Sequence, residues 1–354
     1  MPAVSIDTFF ACSLMVMLVL SAMAVTTTFL RPHMNTTDGD SSQRLYRELS
    51  KYLLLSEGMP SNWGQNGQTI PETFGLARSN AKCPYELDGD KVSRLNDENF
   101  YAISYAEAFT SLEAPDTFFK IEIKPLFDVK IRLDTTFDSN NDTIYQFEIS
   151  TERNGVPIST QMRIFTIAEA YLKATSASAT NGETMQNVTI PDTVDGPALL
   201  AVIARSAYND RIMSFNACAF AHSSAEPNLK GTFLKLSPLN HSLTASFSTS
   251  GIDLTNAYAL TLNHEFQLEQ MSNTSESTTY EIPKILDSGP TILVLTGTNS
   301  TRSFIEWTAY PQIPVEMGAD FVDSHALSDV FSFTYLITID SIIYDCTVWL
   351  GGPA

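Results

Sequence analysis

An uncharged apolar run near the N-terminus constrains this chain more than any other feature of its sequence. Phe9 to Leu30 form twenty-two consecutive residues without a charged side chain, with Asp7 before them and Arg31 after them. As a helix rising 1.5 Å per residue the run is about 33 Å long, which matches a hydrocarbon core about 30 Å thick. The sequence therefore predicts one continuous helix over residues 9–30 that contacts a membrane or a bundle of similar helices.

A cleaved secretory signal peptide is the alternative interpretation of the same run. Ala22-Met23-Ala24 has the small residues of a cleavage site, but a signal peptide begins with positive residues. Asp7 carries the one charged side chain among the first thirty residues, which favours a retained helix. Under either interpretation the rest of the chain lies outside the cytoplasm, anchored at the cell surface or in an extracellular filament.

The overall charge excludes one class of partner. Twenty-one Lys and Arg side chains face forty Asp and Glu side chains, which gives a formal net charge of -19. A chain of this charge repels a phosphate backbone unless it carries a local basic patch, and we find no such patch in the sequence. We therefore expect no nucleic-acid partner.

Asn-x-Ser/Thr sequons follow the apolar run and agree with an extracytoplasmic location. Their asparagines are Asn35, Asn141, Asn187, Asn240, Asn273 and Asn299. The positions are more informative than the number, because Asn141 and Asn299 lie in polar segments between apolar alternating runs. A glycan there projects without disturbing a core, and all six asparagines are candidate glycosylation sites.

Cysteine usage excludes a scaffold built from disulfides. Cys12 lies inside the apolar run, and Cys83, Cys218 and Cys346 follow it, so the ectodomain holds at most one internal disulfide. Cys218 and Cys346 share the C-terminal half and are the preferred candidate pair. Buried free thiols are the alternative.

Periodicity predicts helices first and strands after them. Apolar residues at spacings of three and four predict an amphipathic helix over Ser42–Glu57, and a second helix is predicted over Asn96–Leu112. Alternating apolar and polar residues from Phe119 to Leu133 predict half-buried antiparallel strands. Asn154-Gly155 predicts a tight hairpin turn.

A tract rich in Ala, Ser and Thr predicts a linker in the middle of the chain. The predicted organisation is a hydrophobic helix over residues 1–34, an α/β stalk with a first β domain over 35–173, a linker over 174–184 and an antiparallel β domain over 185–354. Alternation is strong in Phe331–Ile339, and the apolar segments Ile292–Leu295 and Phe304–Trp307 lie on both sides of a turn at Gly297–Arg302. The predicted fold class is α+β and mainly β, with the ectodomain an antiparallel sheet or sandwich.

Motifs for catalysis and cofactor binding are missing from the sequence, which has no glycine-rich nucleotide loop, Cys-x-x-Cys pair or Gly-x-Ser-x-Gly elbow. His264-Glu265 begins like a zinc-protease motif, but Leu268 replaces the second ligand and the segment is typical of a strand. Asp138 to Asp142 alternate oxygen ligands like a calcium loop, but Thr143 occupies the position that requires glycine. We therefore expect a protein that is not an enzyme, without a cofactor or metal.

The start of the chain resembles a known family. Ala3-Val4-Ser5-Ile6-Asp7, followed directly by an apolar helix, is similar to the N-terminus of archaeal type IV pilin-like proteins with a class III signal peptide. Gly58-Met59-Pro60-Ser61-Asn62-Trp63 and Phe74-Gly75-Leu76-Ala77 resemble a run in archaeal membrane-anchored pilin-like proteins. The resemblance covers about the first 130 residues.

This resemblance implies that a short leader is clipped and that an acidic residue near the fifth mature position precedes the helix of the filament core. With clipping before Ala3, Asp7 is that residue, and we expect it to guide assembly by pairing with the α-amine of a neighbouring subunit. The resemblance also implies self-association through the N-terminal helix. Met1-Pro2 lacks the Lys or Arg of the family's processing site, which leaves an unprocessed anchor as the alternative.

These features together predict a structural or adhesive cell-surface subunit of pilin-like type, displayed outside the cell by its N-terminal hydrophobic helix. A non-polymerising, membrane-anchored binding module is the first alternative. An anchored extracellular hydrolase, with a site assembled from distant strands, is the second.

Overall fold

The computed structural model describes residue 15 and residues 42–139, 141–223, 225–284, 289–300, 302–321 and 327–353. The predicted assembly residue Asp7, the sequon at Asn35 and the predicted helix over residues 9–30, apart from residue 15, lie outside the described residues. Among those described, no helix is long and apolar enough to cross a membrane. Membrane contact and self-association through residues 9–30 therefore stay predictions.

Antiparallel β-structure dominates the described part of the chain, which confirms a mainly β fold. The helices there are α1 over residues 42–55, a 3-10 turn at Trp63–Gln65, α2 at Gly89–Ser93 and α3 at Tyr105–Ser111. The strands are β1 (Phe118–Pro125), β2 (Asp128–Ser139), β3 (Asp142–Arg153), β4 (Val156–Pro157), β5 (Thr160–Ala168), β6 (Tyr171–Ala179), β7 (Glu183–Pro191), β8 (Ala198–Ser206), β9 (Met213–Phe220), β10 (Leu234–Leu239), β11 (Ser242–Phe247), β12 (Ile252–Leu260), β13 (Glu265–Gln267), β14 (Glu269–Asn273), β15 (Ser277–Glu281), β16 (Thr291–Asn299), β17 (Arg302–Tyr310), β18 (Val315–Gly318), β19 (Leu327–Ile339) and β20 (Ile342–Pro353).

Helix α1 confirms the first predicted helix and packs against the C-terminal hairpin. The ring centroid of Tyr46 lies 5.8 Å from that of Phe331 in β19, and the hydroxyl oxygens of Ser50 and Tyr335 are 2.6 Å apart. The chain turns after the helix at Gly58, which has a φ of +68°. A Cβ at that position would approach a carbonyl oxygen to 2.6 Å, so only glycine fits the turn.

The second predicted helix is much shorter than residues 96–112. Side chains of Asn96 and Asn99 accept hydrogen bonds from backbone N–H groups two residues later, a local pattern that competes with helix formation. The helix begins only after Ser104, where the hydroxyl of Ser104 and the carboxylate of Glu107 accept from each other's backbone N–H groups. This capping box fixes the start of α3.

The stem sheet joins strands from both ends of the described chain. Its order is β18-β1-β20-β19 and every pair in it is antiparallel. Phe119, Ile121 and Ile123 of β1 are fully buried, as the alternation predicts. The chain leaves this sheet after β1 and returns to it at β18, so everything from β2 to β17 is an insertion. We call the stem sheet together with residues 42–117 the stem module.

The first sandwich lies within this insertion. One of its sheets contains β2, β3, β4 and β7, with β3 paired to both β2 and β7, and the other has the order β6-β5-β8-β9. A single buried core joins them and includes Phe147, Ile149, Ile164, Val188 and Val202. The predicted hairpin is confirmed, with positive φ at Asn154 and Gly155 between β3 and β4.

The predicted linker over residues 174–184 is wrong. Residues up to Ala179 belong to β6 and residues from Glu183 belong to β7, with a short turn between them. Strand β6 pairs along its whole length with β5, from Tyr171 opposite Ala168 to Ala179 opposite Thr160. Small polar side chains suit this partly exposed edge strand, whose order comes from pairing rather than from its own composition. The boundary predicted between residues 173 and 185 thus falls inside the first sandwich.

The second sandwich pairs a sheet of order β10-β11-β15-β14 with one of order β13-β12-β16-β17. Its core includes Leu236, Leu243, Ala259, Leu293 and Phe304. The predicted turn after Gly297 is confirmed, because β16 and β17 form a hairpin with Asn299 opposite Arg302.

A central core connects both sandwiches and the stem module. It includes Phe165 and Leu199 of the first sandwich, Ile292 and Val294 of the second, and Ile121 of the stem sheet. Strands β8 and β16 are therefore buried on both faces of their sheets, which explains their continuous apolar runs. Side chains of Asn256 and Thr296 also donate to the backbone oxygen of Glu169, at 2.9 and 3.0 Å.

The predicted disulfide between Cys218 and Cys346 is not formed, and both residues are free thiols. Cys346 is part of the central core. Ala217 and Ala219, the neighbours of Cys218, contact that same core, so strand alternation directs Cys218 to the opposite face of its sheet. The alternative of thiols without a disulfide is the one the structure supports.

Candidate functional site

A cavity of about 440 Å³ lies where the stem module meets the second sandwich. Six of its polar lining residues come from four separate segments of the chain. These supply Asp88 and Asp90 at the start of α2, Asn240 and His241 in the β10–β11 turn, Tyr310 at the end of β17, and Asp340 in the β19–β20 turn. We call this the junction cavity.

Asp90 holds the junction together through one carboxylate oxygen. The side chain of Asp88 caps α2 by accepting from the backbone N–H groups of Asp90 and Lys91, which places Asp90 in the first turn. Oδ1 of Asp90 accepts hydrogen bonds from the backbone N–H of Asn240 at 2.8 Å and from the hydroxyl of Tyr310 at 2.9 Å. A carboxylate of the stem module thereby binds two elements of the second sandwich.

Burial dominates the electrostatics of this cluster. It raises the pKa of Asp90 to about 6, although the hydrogen bonds from Asn240 and Tyr310 favour the ionised form. It also raises the pKa of Tyr310, with a further increase from the charge of Asp90, and the pKa of Asp340. The two bonded groups therefore hold their protons more tightly than they would in water.

His241 and Arg78 complete the charged lining. The ring of His241 meets that of Tyr310 edge to face at 6.0 Å, and burial lowers the pKa of this histidine. Nδ1 of His241 is buried without a hydrogen-bond partner among the described residues. The guanidinium of Arg78 lies 3.4 Å from carboxylate oxygens of both Glu86 and Asp340, which offsets part of the negative charge.

Asp90 gives the junction cavity a group that can take up a proton as the pH falls toward about 6. Within the part of the chain that the structure describes, no group of three His, Cys, Asp and Glu side chains is placed to hold a metal ion. Asp90 and Tyr310 share a hydrogen bond with each other. This arrangement makes the contact between stem module and second sandwich sensitive to the protonation of Asp90.

A larger groove of about 860 Å³ follows the edges of three sheets. Strands β9, β17 and β18 are each the outermost strand of their sheets. Their groove-lining residues are Phe215 and Asn216 of β9, Trp307, Thr308 and Ala309 of β17, and Val315, Glu316 and Gly318 of β18. We call this the edge groove.

Two lysines cover tryptophan rings beside the edge groove. Nζ of Lys230 lies 4.9 Å from the ring centroid of Trp307, and Nζ of Lys120 lies 5.5 Å from that of Trp349. Lys120 also forms an ion pair of 2.5 Å with Glu316, and Lys230 forms one with Glu98. The lysines are thus held by aromatic and acidic neighbours together.

The described sequon asparagines differ in exposure. Asn141, Asn187, Asn240 and Asn273 are exposed. Asn299 is half-buried, and its Nδ2 donates to the hydroxyl oxygen of Thr249 at 3.3 Å. A glycan on Asn299 would have to replace this hydrogen bond, whereas the exposed asparagines offer easier access.

Sequence reasoning missed the residues of both concave regions. Asp90 follows a recognisable helix cap at Asp88, but its hydrogen-bond partners lie 150 and 220 positions away in the sequence. No local sequence pattern predicts a contact over such a separation. Trp307 falls in a predicted strand, and only the sheet order reveals that this strand is an edge. His264, expected within a strand, instead lies exposed in the turn between β12 and β13.

Comparisons with known proteins give no family for this chain. No protein-family model matches it, and no curated protein matches it. Among solved structures, the crystal structure of chicken CNTN1 FN1–FN3 domains matches with a TM-score of 0.18 and 13% identity, over 52% of this chain and 68% of that one. A likeness of this size bears on neither the fold nor the function of the protein.

Proposed function

We propose that this chain is a structural or adhesive cell-surface subunit of pilin-like type, displayed by its N-terminal hydrophobic helix. The observation that carries the proposal is the insertion of both sandwiches between β1 and β18 of the stem sheet. The helix that follows the apolar run packs on that same sheet. The apolar run is thus connected to the stem module. The two sandwiches are joined to that module by two chain connections, one after β1 and one before β18.

Surface features of the sandwiches support the same proposal. Exposed sequon asparagines occur in both of them, with Asn141 and Asn187 in the first and Asn240 and Asn273 in the second. Glycans at these positions would suit a protein that faces the outside of the cell. The net charge of -19 also keeps such a surface from associating without a specific contact.

A surface-labelling experiment tests the proposal. Cells producing the full chain are compared with cells producing a chain that begins at residue 35, using a membrane-impermeant amine label and fractionation. We expect the full chain to be labelled on intact cells and to sediment with membranes or filaments, and the shortened chain to lose this association. Full-length protein that stays unlabelled until the cells are lysed would contradict the proposal.

A non-polymerising binding module is a second candidate, favoured by the size and position of the edge groove. Electron microscopy of the cell surface and the size of a detergent extract separate the two functions. Filaments that contain the chain support the subunit, and a monomeric extract without filaments supports the binding module.

A further inference from the structure

Strand β17 directs alternate backbone groups toward the edge groove. The backbone N–H of Ile305 donates to Oδ1 of Asn228, outside the β16–β17 ladder. Alternate residues of an antiparallel strand point the same way, so Trp307 and Ala309 also direct their N–H and C=O groups away from β16. Both residues line the groove, but Ala309 is only 4% exposed and the N–H of Ile305 is already bonded to Asn228, so this edge is largely covered by the chain itself.

Strand β18 offers a more exposed edge to the same groove, because Glu316 and Gly318 are exposed. Just beyond it, the backbone N–H of Ala319 donates to the carbonyl of Phe119 at 2.9 Å, which sets the register toward β1. By alternation, the backbone groups of Glu316 and Gly318 point away from β1. Outward-facing donors and acceptors on an exposed strand edge are a template for another strand.

Charge defines the chemistry of the strand that would fit. The ionisable lining consists of Asp97, Glu98, Glu122, Glu316 and Asp320 against Lys120 and Lys230. Lys124 pairs with Glu122, and with it counted the carboxylates still exceed the ammonium groups by two, so the groove attracts cationic side chains and repels phosphate polymers.

We propose that the edge groove binds an extended polypeptide segment with lysine or arginine at alternate positions, added as a strand to β18. Backbone pairing with the sheet edge supplies the contact, and the surplus carboxylates select the cationic side chains. This proposal names a class of partner for the proposed surface function. It rests on that function in one respect, because it takes the partner to be extracellular.

Tryptophan fluorescence reports binding in the groove. Trp307 and Trp349 lie under the two groove lysines, and a strand that shifts either lysine changes the surroundings of its indole ring. Trp63 is fully buried in the central core, so its emission stays constant as long as the fold is intact.

The test uses the full chain in detergent and a panel of synthetic peptides of about eight residues with lysine at alternate positions. Two matched panels replace lysine by glutamate, or carry methyl groups on alternate backbone nitrogens so that strand pairing is blocked. We expect a saturable fluorescence change with the lysine peptides and binding weaker by at least about tenfold with both matched panels. Equal binding of the methylated peptides, or no binding of any lysine peptide up to about 1 mM, would overturn the proposal.

Two charge-reversal variants locate the site. Glu316→Lys changes the lining of the groove, whereas Glu269→Lys changes an exposed glutamate on β14, the edge strand of a different sheet. We expect Glu316→Lys to weaken binding by about fivefold or more and Glu269→Lys to leave it unchanged. Equal weakening by both variants would refute the proposal, because net charge alone would then attract the peptides. Binding of a neutral oligosaccharide without any response to the peptides would also refute it. Because this measurement uses purified protein, a negative result would refute peptide binding without affecting the surface-labelling test. A negative surface-labelling result would likewise refute the proposed surface location without affecting the peptide measurement.

Discussion

The hydroxyl of Tyr310 donates a hydrogen bond of 2.9 Å to Oδ1 of Asp90, 220 positions earlier in the chain. The same oxygen accepts from the backbone N–H of Asn240 at 2.8 Å. One buried carboxylate thus connects the stem module to two elements of the second sandwich. Its protonation state should therefore influence how strongly these two parts are held together.

Replacing Asp90 with asparagine should remove a pH dependence from the stability of the protein. The pKa of Asp90 is about 6 when folded against 3.8 as its ordinary value, so the folded state binds this proton more tightly. The contribution of Asp90 to stability is full below about pH 4 and is lost as the pH rises to about 6. Asp90→Asn keeps an acceptor oxygen without the charge and should raise the unfolding free energy by up to about 3 kcal/mol above pH 6, but not near pH 4. Urea unfolding of both proteins across this range measures the difference.

Neighbouring groups make a matched control necessary. Burial lowers the pKa of His241, so its contribution to stability is present above its unfolded pKa and is lost as the pH falls through its lowered folded pKa. The raised pKa of Asp340 acts in the same direction as that of Asp90. Only the difference between variant and parent at each pH isolates Asp90. Asp253→Asn removes the same charge from an exposed position on β12 and should show no such difference. A constant offset for Asp90→Asn at all pH values would contradict the assignment.

Arg94 should be among the most sensitive positions for stability, because its buried guanidinium organises the loop before α2. Side-chain N–H groups of Arg94 donate to the carbonyl oxygens of Trp63, Asn66, Gly67, Thr69 and Tyr101 at distances from 2.6 to 3.2 Å. Arg94→Met would leave these acceptors without a donor and should destabilise the protein by about 3–5 kcal/mol, measured by denaturant unfolding. Arg132→Met removes an exposed arginine of β2 that pairs with Glu148, and the melting temperature should stay unchanged. An equally small effect at both positions would show that the loop does not depend on Arg94.

Much of the β-structure could be predicted from alternation, because a strand with one buried face records that face in its sequence. The alternation in β1 and in residues 331–339 of β19 is of this kind, and both are strands. Strand β6 was mistaken for a linker because its small side chains bury little, and its order comes from pairing with β5. The pairing of β1 with β20, which joins residues more than 200 positions apart, has no local signal.

The junction cavity and the edge groove could not be predicted from the sequence, for a related reason. Asp90 resembles any acidic residue in a first helical turn until Asn240 and Tyr310 are brought to it. Trp307 becomes part of a groove only because β17 is the last strand of its sheet and lies beside two other sheet edges. Sites formed by the assembly of modules depend on tertiary arrangement, which periodicity does not encode.

Cys83, Cys218 and Cys346 should react as free thiols, at rates that follow their burial. Cys83 is exposed, Cys218 is half-buried and Cys346 is buried, and burial raises the pKa of the last two thiols. Under native conditions we expect iodoacetamide to modify Cys83 first and Cys346 only after unfolding. Mass spectrometry of unfolded, unreduced protein should find all three modified. A peptide pair linking Cys218 to Cys346 that disappears on reduction would restore the disulfide.

Asp7 remains the residue on which the filament interpretation depends. It directly precedes the apolar run, and an ionised carboxylate at the centre of a membrane costs about 2.5–3.5 kcal/mol on insertion scales. Pairing with the α-amine of a neighbouring subunit would offset this cost and fix the axial register of the helices. Asp7→Ala should therefore leave membrane insertion and the ectodomain fold intact while it abolishes filaments or shifts their register.

The substituted strain is compared with its parent by electron microscopy of surface appendages and by a blot of the membrane fraction. Equal amounts of membrane-bound protein in both strains, with filaments in the parent alone, would support the assembly role, because loss of insertion would have lowered the membrane signal as well. Normal filaments containing the Asp7→Ala protein would mean that Asp7 is an interfacial charge without a role in assembly. If the parent forms no filaments under any growth condition, the pilin-like interpretation itself fails, and the membrane-anchored binding module, with its groove along three sheet edges, takes its place.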